Sequence, residues 1–337
     1  MAGGRHSEAT VNEATTLLDV RDLHVSFATP DGILDAVRGI SFTIERGQVL
    51  GIVGESGSGK SVATQTMVGL TRGARVSGQA LFEGRDLLTT PPDELRLIRG
   101  RRIAMIFQNP LSSLHPLYTI GWQIIEMIRA HDPMSPALAR ARAIELLGLV
   151  GVARPERRVD EYPHQFSGGM LQRAMIAMAL ALNPSLLIAD EPTTALDVTV
   201  QAQIIRLLRR VQREFGMAII MITHDLGVVG EMADDVMVMY AGRAMEIAPR
   251  ETLFQAPEHP YTRGLFSSSP RADLDGARLT PIAGQPPSLI ALPPGCSFQP
   301  RCAVAIARCS TDAPTLAALP GDGAHRTACW LNAATVA

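Results

Sequence analysis

The sequence predicts an α/β fold: a mostly parallel sheet covered on both faces, an antiparallel β subdomain ahead of it, a helical insertion within it and a small cysteine-containing C-terminal appendage. Three observations lead there. Short apolar, β-rich runs alternate with helical stretches from 185 to 247, as in a buried parallel sheet. The stretch Gly54-Glu55-Ser56-Gly57-Ser58-Gly59-Lys60-Ser61 stands between one such run and a helix. Residues 109–182 interrupt the alternation with helical spacing and loops.

Composition bounds the answer. At 337 residues, 46% hydrophobic and 19% charged, the chain is globular and large enough for one big domain, or a domain plus an appendage. A net charge of −2 lacks the basic excess that nucleic acid would call for. The clusters Arg99-Gly100-Arg101-Arg102 and Arg206 with Arg209-Arg210 read as solvated faces. No apolar run reaches the roughly 18 residues of a membrane span; Ala174–Leu182 is bounded by Arg173 and Asn183-Pro184. Residues 1–16 lack the apolar region of a signal peptide and read as a disordered tail.

Taken in order, Leu17–Phe27, Leu34–Thr43 and Gln48–Val53 read as strands, with turn signals at Asp31-Gly32 and Glu45-Arg46-Gly47. A helix follows from Ser61 to Leu70, then a strand at Gln79–Phe82, a short helix at Pro92–Arg99 with proline in its first turn, and a buried strand at Ile103–Phe107. Within the insertion, Ile120–Arg129 and Ala137–Val150 have helical spacing. Strands return at Ser185–Ala189 and Met217–Ile222, flanking an amphipathic helix at Val198–Phe215, and again at Asp235–Tyr240 and Arg243–Ile247 about an Ala241-Gly242 turn. Beyond Pro249 the chain is proline-rich, with the appendage from about residue 270.

The stretch 54–61 fits G-x-x-x-x-G-K-[ST] at every fixed position, so it predicts a nucleotide site. Gly54, Gly57 and Gly59 let the backbone take positive φ and bring N–H groups round phosphate oxygens at a helix N-terminus. Lys60 adds a mobile charge for the β- and γ-phosphates, and Ser61 a hydroxyl for Mg²⁺. Lys60 is the only lysine among 31 Lys+Arg, placed where a compact ammonium suits a phosphate better than a planar fork.

Other polar residues fall at strand ends, where an open α/β sheet binds its ligands: Gln108, Asp190-Glu191 and Thr223-His224-Asp225. An Asp at the end of an apolar strand is the second phosphate-site pattern of P-loop ATPases, reaching Mg²⁺ through water, and Glu191 beside it is placed to polarise an attacking water. Phe166-Ser167-Gly168-Gly169-Met170-Leu171-Gln172-Arg173 leads straight into a helix, with Ser167 as cap and bare glycine N–H groups, a second anion site. Two phosphate-binding termini in one chain predict a site completed between two subunits.

This set resembles the ATP-binding cassette (ABC) proteins over about residues 17–265, and the expected fold becomes a P-loop NTPase cassette with residues 109–182 as its helical subdomain. Gln108-Asn109-Pro110, Tyr162-Pro163-His164-Gln165, Met170 where most cassettes have Gln, and the tail Gly295-Cys296, Arg301-Cys302, Cys309 and Cys329 resemble the ATPase subunits of bacterial dipeptide and oligopeptide importers. The likeness then covers nearly the whole chain, with 266–337 as the family's C-terminal extension. It implies an ATPase on the cytoplasmic face of the plasma membrane, paired with a second, often non-identical cassette, two permease subunits and an extracytoplasmic binding protein. It implies Phe27 as the base-stacking residue, Gly54, Glu55, Ser56, Gly57, Ser58, Gly59, Lys60 and Ser61 as the phosphate loop, and Ser61, Gln108 and Asp190 around Mg²⁺. Gln108 would sense the γ-phosphate, Glu191 act as general base and His224 as γ-phosphate switch; Ser167, Gly168 and Gly169 would meet ATP on the partner, and Asp197 of the Ala195-Leu196-Asp197 loop would join the nucleotide-binding set. His115 and Phe166 depart from the expected Asn and Leu, away from the chemistry.

Read from the residues alone, Phe27 is better explained by burial. A chain using cytosolic ATP would not hold its cysteines as disulfides. The spacing of Cys296, Cys302, Cys309 and Cys329 lacks the paired C-x-x-C of most zinc modules and the ferredoxin runs, leaving free thiols, Zn²⁺ or Fe–S open; the resemblance implies a [4Fe–4S] cluster. The cargo is open too, with nickel or another non-peptide solute as the alternative to peptides. A soluble ABC ATPase acting on DNA or ribosomes would need a long coiled coil, a zinc hook or tandem cassettes, and a metal-binding interaction protein would leave the strand-end set idle. Leu111, Leu114, Leu117 and Tyr118, leading away from Gln108, are the candidates for docking a membrane partner.

Overall fold

The computed structural model describes residues 16–194, 196–268 and 280–332, so the tail expected over 1–16 lies outside it except for Thr16. Strands β1 (Thr16–Thr29) and β2 (Gly32–Glu45) form a hairpin closed at Thr29 opposite Gly32. β1 also pairs with β4 (Ala74–Phe82), which pairs with the two-residue β5 (Arg85–Asp86), giving an antiparallel sheet in the order β2-β1-β4-β5. β4 begins at Ala74 rather than Gln79 because its first half is solvent-exposed and carries no apolar alternation.

The main sheet runs β11-β12-β10-β9-β3-β8-β7-β6. From β9 to the β6 edge it is parallel: β3 (Val49–Val53), β6 (Ile103–Ile106), β7 (Leu186–Asp190), β8 (Ala218–Thr223) and β9 (Asp235–Tyr240). Every residue of β3, β7 and β8 is buried, because helices and the antiparallel sheet cover both faces. In β8, Ile219 and Met221 enter one core cluster while Ala218, Ile220 and Ile222 enter another, which is why the strand reads as an unbroken apolar run.

Helix α1 (Lys60–Met67) follows β3, and α2 (Pro92–Ile98) precedes β6. The insertion holds α3 (Pro110–Ser113), α4 (Ile120–Arg129), α5 (Pro136–Leu149), α6 (Pro155–Arg158) and α7 (Gly168–Ala179). Thr119, Ser135 and Ser167 cap α4, α5 and α7 by accepting a backbone N–H three residues on. Helix α8 (Val198–Phe215) has the bounds read from its spacing; it starts at the Asp197 cap and stops where Gly216 turns to φ 60°. Helices α9 (Leu226–Met232), α10 (Arg250–Gln255) and α11 (Pro260–Ser268) complete the set.

The C-terminal segment is not set apart from this body. Strand β12 (Asp322–Thr327) pairs antiparallel with β10 (Arg243–Pro249), and β11 (Ala317–Leu319) pairs with β12, so the segment extends the main sheet. At that seam Glu246 is fully buried and faces His325 Nε2 at 2.7 Å, while the backbone N–H groups of Glu258 (2.7 Å) and His259 (3.0 Å) donate to the same carboxylate. A buried charge without such partners would be strongly destabilising.

Candidate active site

The phosphate loop sits at the carboxyl end of β3. Gly54, Gly57 and Gly59 all have positive φ (152°, 78° and 95°). A side chain could not follow: a Cβ on Gly54 would lie 2.1 Å from the Met239 carbonyl oxygen, and one on Gly59 2.3 Å from that of Ala36. No side chain caps α1, so its first N–H groups are left for an anion. Lys60 is buried and bends back over the loop, its Nζ donating to the carbonyls of Gly54 (2.7 Å) and Glu55 (2.9 Å) and to Ser58 Oγ (3.3 Å). Burial draws its pKa below the ordinary lysine value, against the pull of Glu191, Asp190 and Glu55.

The ends of β7, β6 and β8 converge on the same place. Ser61 Oγ donates to Asp190 Oδ1 at 2.8 Å, joining two of the three residues expected around Mg²⁺. Burial pushes the Asp190 carboxyl up from its usual range, and Glu191 adds to that, while the Ser61 hydrogen bond and Lys60 oppose it. A divalent cation would offset that burial, so this pair fits one. Glu191 takes φ 47°, a left-handed conformation rare for a glutamate. Its Oε2 accepts from Gln108 Nε2 (2.7 Å) and Thr194 Oγ1 (2.9 Å), and its Oε1 lies 3.3 Å from His224 Nδ1. Burial alone would raise its pKa, but the hydrogen bonds from Thr194 and His224, with the charge of Lys60, hold it below the ordinary value. Thr194 went unnoticed in the sequence, where it is one threonine of a Thr-Thr pair beside better signals.

Residues 37–194 match the ABC transporter family model, and 245–309 match the model for the oligopeptide/dipeptide transporter C-terminal region. The oligopeptide transport ATP-binding protein OppD of Salmonella typhimurium is 51% identical over 309 residues, covering 91% of this chain and 92% of that protein. This chain belongs to the ATP-binding subunits of the oligopeptide/dipeptide ABC transporters. It is an ABC transporter ATPase. The dipeptide transport ATP-binding protein DppD of Bacillus subtilis is 50% identical over 94% of this chain and 95% of its own length. Among solved structures, the ATP-binding cassette MJ0796, a dimer in a post-hydrolysis state bound to ADP and Pi, aligns with TM-score 0.63 and 28% identity over 69% of this chain and 98% of that one.

In this ABC ATPase Ser167, Gly168 and Gly169 open α7 on the helical insertion. Ser167 caps α7 by accepting from Met170 N at 3.4 Å, Gly168 borders open space, and a Cβ on Gly169 would come within 2.9 Å of Val200. Asp197 is the α8 cap, accepting from Val200 N at 3.0 Å; its neighbour Ala195 lies outside the described residues. Phe27 is half-buried near the end of β1, against the core beneath the antiparallel sheet. Of the docking candidates, Leu111, Leu117 and Tyr118 are on the surface, joined by Trp122 stacked on Tyr118 at 4.0 Å. Leu114 is corrected: it is 4% exposed and belongs to the core of the insertion.

The expected iron–sulfur ligand set finds no support among the described residues. Cys296, Cys302, Cys309 and Cys329 are free thiols that line one pocket with His259, Phe298 and Trp330. Burial raises the thiols of Cys296, Cys302 and Cys329. Yet among the described residues no three His, Cys, Asp or Glu side chains are disposed to hold a metal ion. No described helix is long and apolar enough to cross a membrane.

Proposed function

We propose that the chain binds and hydrolyses ATP to power peptide uptake through a membrane complex, as a peripheral subunit on the cytoplasmic face. The observation that carries this is the meeting of the phosphate loop, Asp190, Glu191, Gln108 and His224 at the ends of adjacent strands. Lys60 leaves the loop carbonyls for the β- and γ-phosphates, with the N–H groups of 54–61 around them. Ser61 and Asp190, with Gln108, would hold Mg²⁺, which neutralises phosphate charge. Glu191 accepts the proton of the attacking water, Gln108 and His224 read the γ-phosphate, and Phe27 stacks on the base. Ser167, Gly168 and Gly169 close the site of a partner cassette, and Asp197 joins the nucleotide-binding set; that the similar cassette MJ0796 is a dimer supports a pairing of cassettes.

Peptide cargo rests on the half-identity to proteins named for oligopeptide and dipeptide transport. The implied partners are a second cassette, two permeases and a binding protein. Reconstitution of these with the chain in liposomes tests the reading: labelled di- and oligopeptides should accumulate only with Mg-ATP inside the cytoplasmic compartment. ATP-driven uptake of nickel or another solute in their place would reassign the cargo. The resemblance puts a [4Fe–4S] cluster on the four cysteines, although no three donors among the described residues are disposed to hold a metal. Iron and sulfide analysis of anaerobically purified protein decides between that and four thiols.

A further inference from the structure

The second residue of the phosphate loop is gripped from the far end of the chain. Arg301 directs Nη1 to Glu55 Oε2 (2.7 Å) and Nη2 to Glu55 Oε1 (2.9 Å), a two-pronged ion pair across 246 positions. The arginine side chain is 5% exposed and the glutamate 26%, so this is an enclosed pair rather than a surface one. The same guanidinium also donates to Tyr240 Oη (3.3 Å) and the Ala283 carbonyl (3.0 Å), which fixes its plane. Glu55 is held again through its backbone, whose N–H donates to Tyr261 Oη at 2.9 Å.

Glu55 would otherwise be an unpaired anion beside the place where a polyphosphate binds. Lys60 meanwhile bonds the carbonyls of Gly54 and Glu55, and a phosphate that recruits Lys60 takes those bonds away. The first turn of the loop is then held by Arg301 and Tyr261. We propose that Arg301 is a positioning residue for the phosphate loop: it neutralises Glu55 and fixes the loop's entry, so that ATP affinity depends on the C-terminal segment. The turn that carries it, Gln299–Arg301, is pinned by backbone bonds from Gln299 to Cys296 and from Cys302 to Gln299. The proposal rests on the nucleotide reading of the loop, and its test separates the two.

Mg-ATP is titrated against the full chain carrying Arg301→Met, Glu55→Gln, both together, and Lys60→Ala as control, with melting temperature followed in parallel. Arg301→Met should weaken ATP binding about tenfold, because it leaves the carboxylate uncompensated. Glu55→Gln added to it should restore affinity to within about threefold, a rescue that a merely folded-or-unfolded effect would not give. ADP, with less charge, should suffer less than ATP. Should Arg301→Met not fold, Arg301→Lys keeps the charge, loses the fork, and should cost about threefold in affinity at unchanged melting temperature. Wild-type affinity in the Arg301 variants with a weakened Lys60→Ala, or a double variant as weak as Arg301→Met, overturns the proposal. Unchanged binding by Lys60→Ala overturns the loop reading itself.

Discussion

Gln108 donates to Glu191 across 2.7 Å, tying the segment after β6 to the end of β7. Both carboxylate oxygens of Glu191 are engaged, with Thr194 on the same oxygen as Gln108 and His224 facing the other. A water that Glu191 is to activate must replace one of these partners. Glu191→Gln should therefore keep ATP affinity, since the side chain's size and neighbours are retained, and lower turnover by at least about 100-fold. Turnover near wild type in a steady-state phosphate-release assay would remove Glu191 from the role of base.

Thr194 offers a pH-dependent test of the same carboxylate. Its hydroxyl is one of the groups that hold the Glu191 pKa below the ordinary value. Thr194→Val removes that hydrogen bond, so the pKa should rise and the acidic limb of the pH–turnover profile should move to higher pH. An acid limb that stays in place while turnover falls uniformly would mean that Thr194 serves the loop's shape alone.

Lys60 is the chain's single lysine, so an amine-specific reagent has one side-chain target besides the terminal amine. Mg-ATP at ten times its dissociation constant should slow modification of Lys60 about tenfold, following simple occupancy. Peptide mapping by mass spectrometry reads this directly. Equal labelling with and without nucleotide would place Lys60 away from the phosphates.

The parts of this site that were legible in the sequence are local ones. A glycine pattern between strand and helix, or a carboxylate ending an apolar run, carries its own geometry within a few residues. Arg301 gripping Glu55, and Glu246 meeting His325, were invisible because each joins positions far apart, and each arginine or glutamate alone reads as surface. β12 was missed because its exposed residues share no alternation with the strand it joins, and Leu114 was misplaced because a loop leucine does not declare which way it faces.

Acid stability should pass through His259. It is buried, its Nδ1 accepts from Tyr261 N at 3.0 Å, and burial draws its pKa down to about 4. The folded state holds it neutral, whereas the unfolded chain takes up a proton near the ordinary histidine value. Its contribution is therefore present above about pH 6.5 and lost as pH falls toward 4, on the order of 3 kcal/mol in all. His259→Asn keeps an acceptor for Tyr261 N and does not titrate there, so it should lower stability at pH 7.5 yet flatten the decline between pH 6.5 and 4.5 in urea unfolding. An undiminished slope would assign the acid sensitivity to other groups.

Coupling to a membrane partner can be tested at the surface that leads away from Gln108. Leu111 and Leu117 are 63% and 76% exposed, and Tyr118 stacks on Trp122 beside them, an apolar patch with no role in the core. Nearby, Leu70, Phe107, Met127, Met175 and Met178 line a cavity of about 240 Å³ whose adaptable methionines suit an inserted helix. A segment tied to Glu191 through Gln108 at one end and to a docked helix at the other would turn ATP occupancy into movement. Leu117→Glu should leave folding within about 0.5 kcal/mol and ATP affinity unchanged, because the side chain is largely in solvent. In liposomes with the permeases it should abolish stimulation of ATPase activity, and uptake with it. Leu114→Glu is the contrast: that position is buried, so it should unfold the insertion and lose ATPase activity even without permease. Full uptake with Leu117→Glu would move the docking role to another face, and loss of folding by Leu117→Glu would show that the leucine serves the insertion itself.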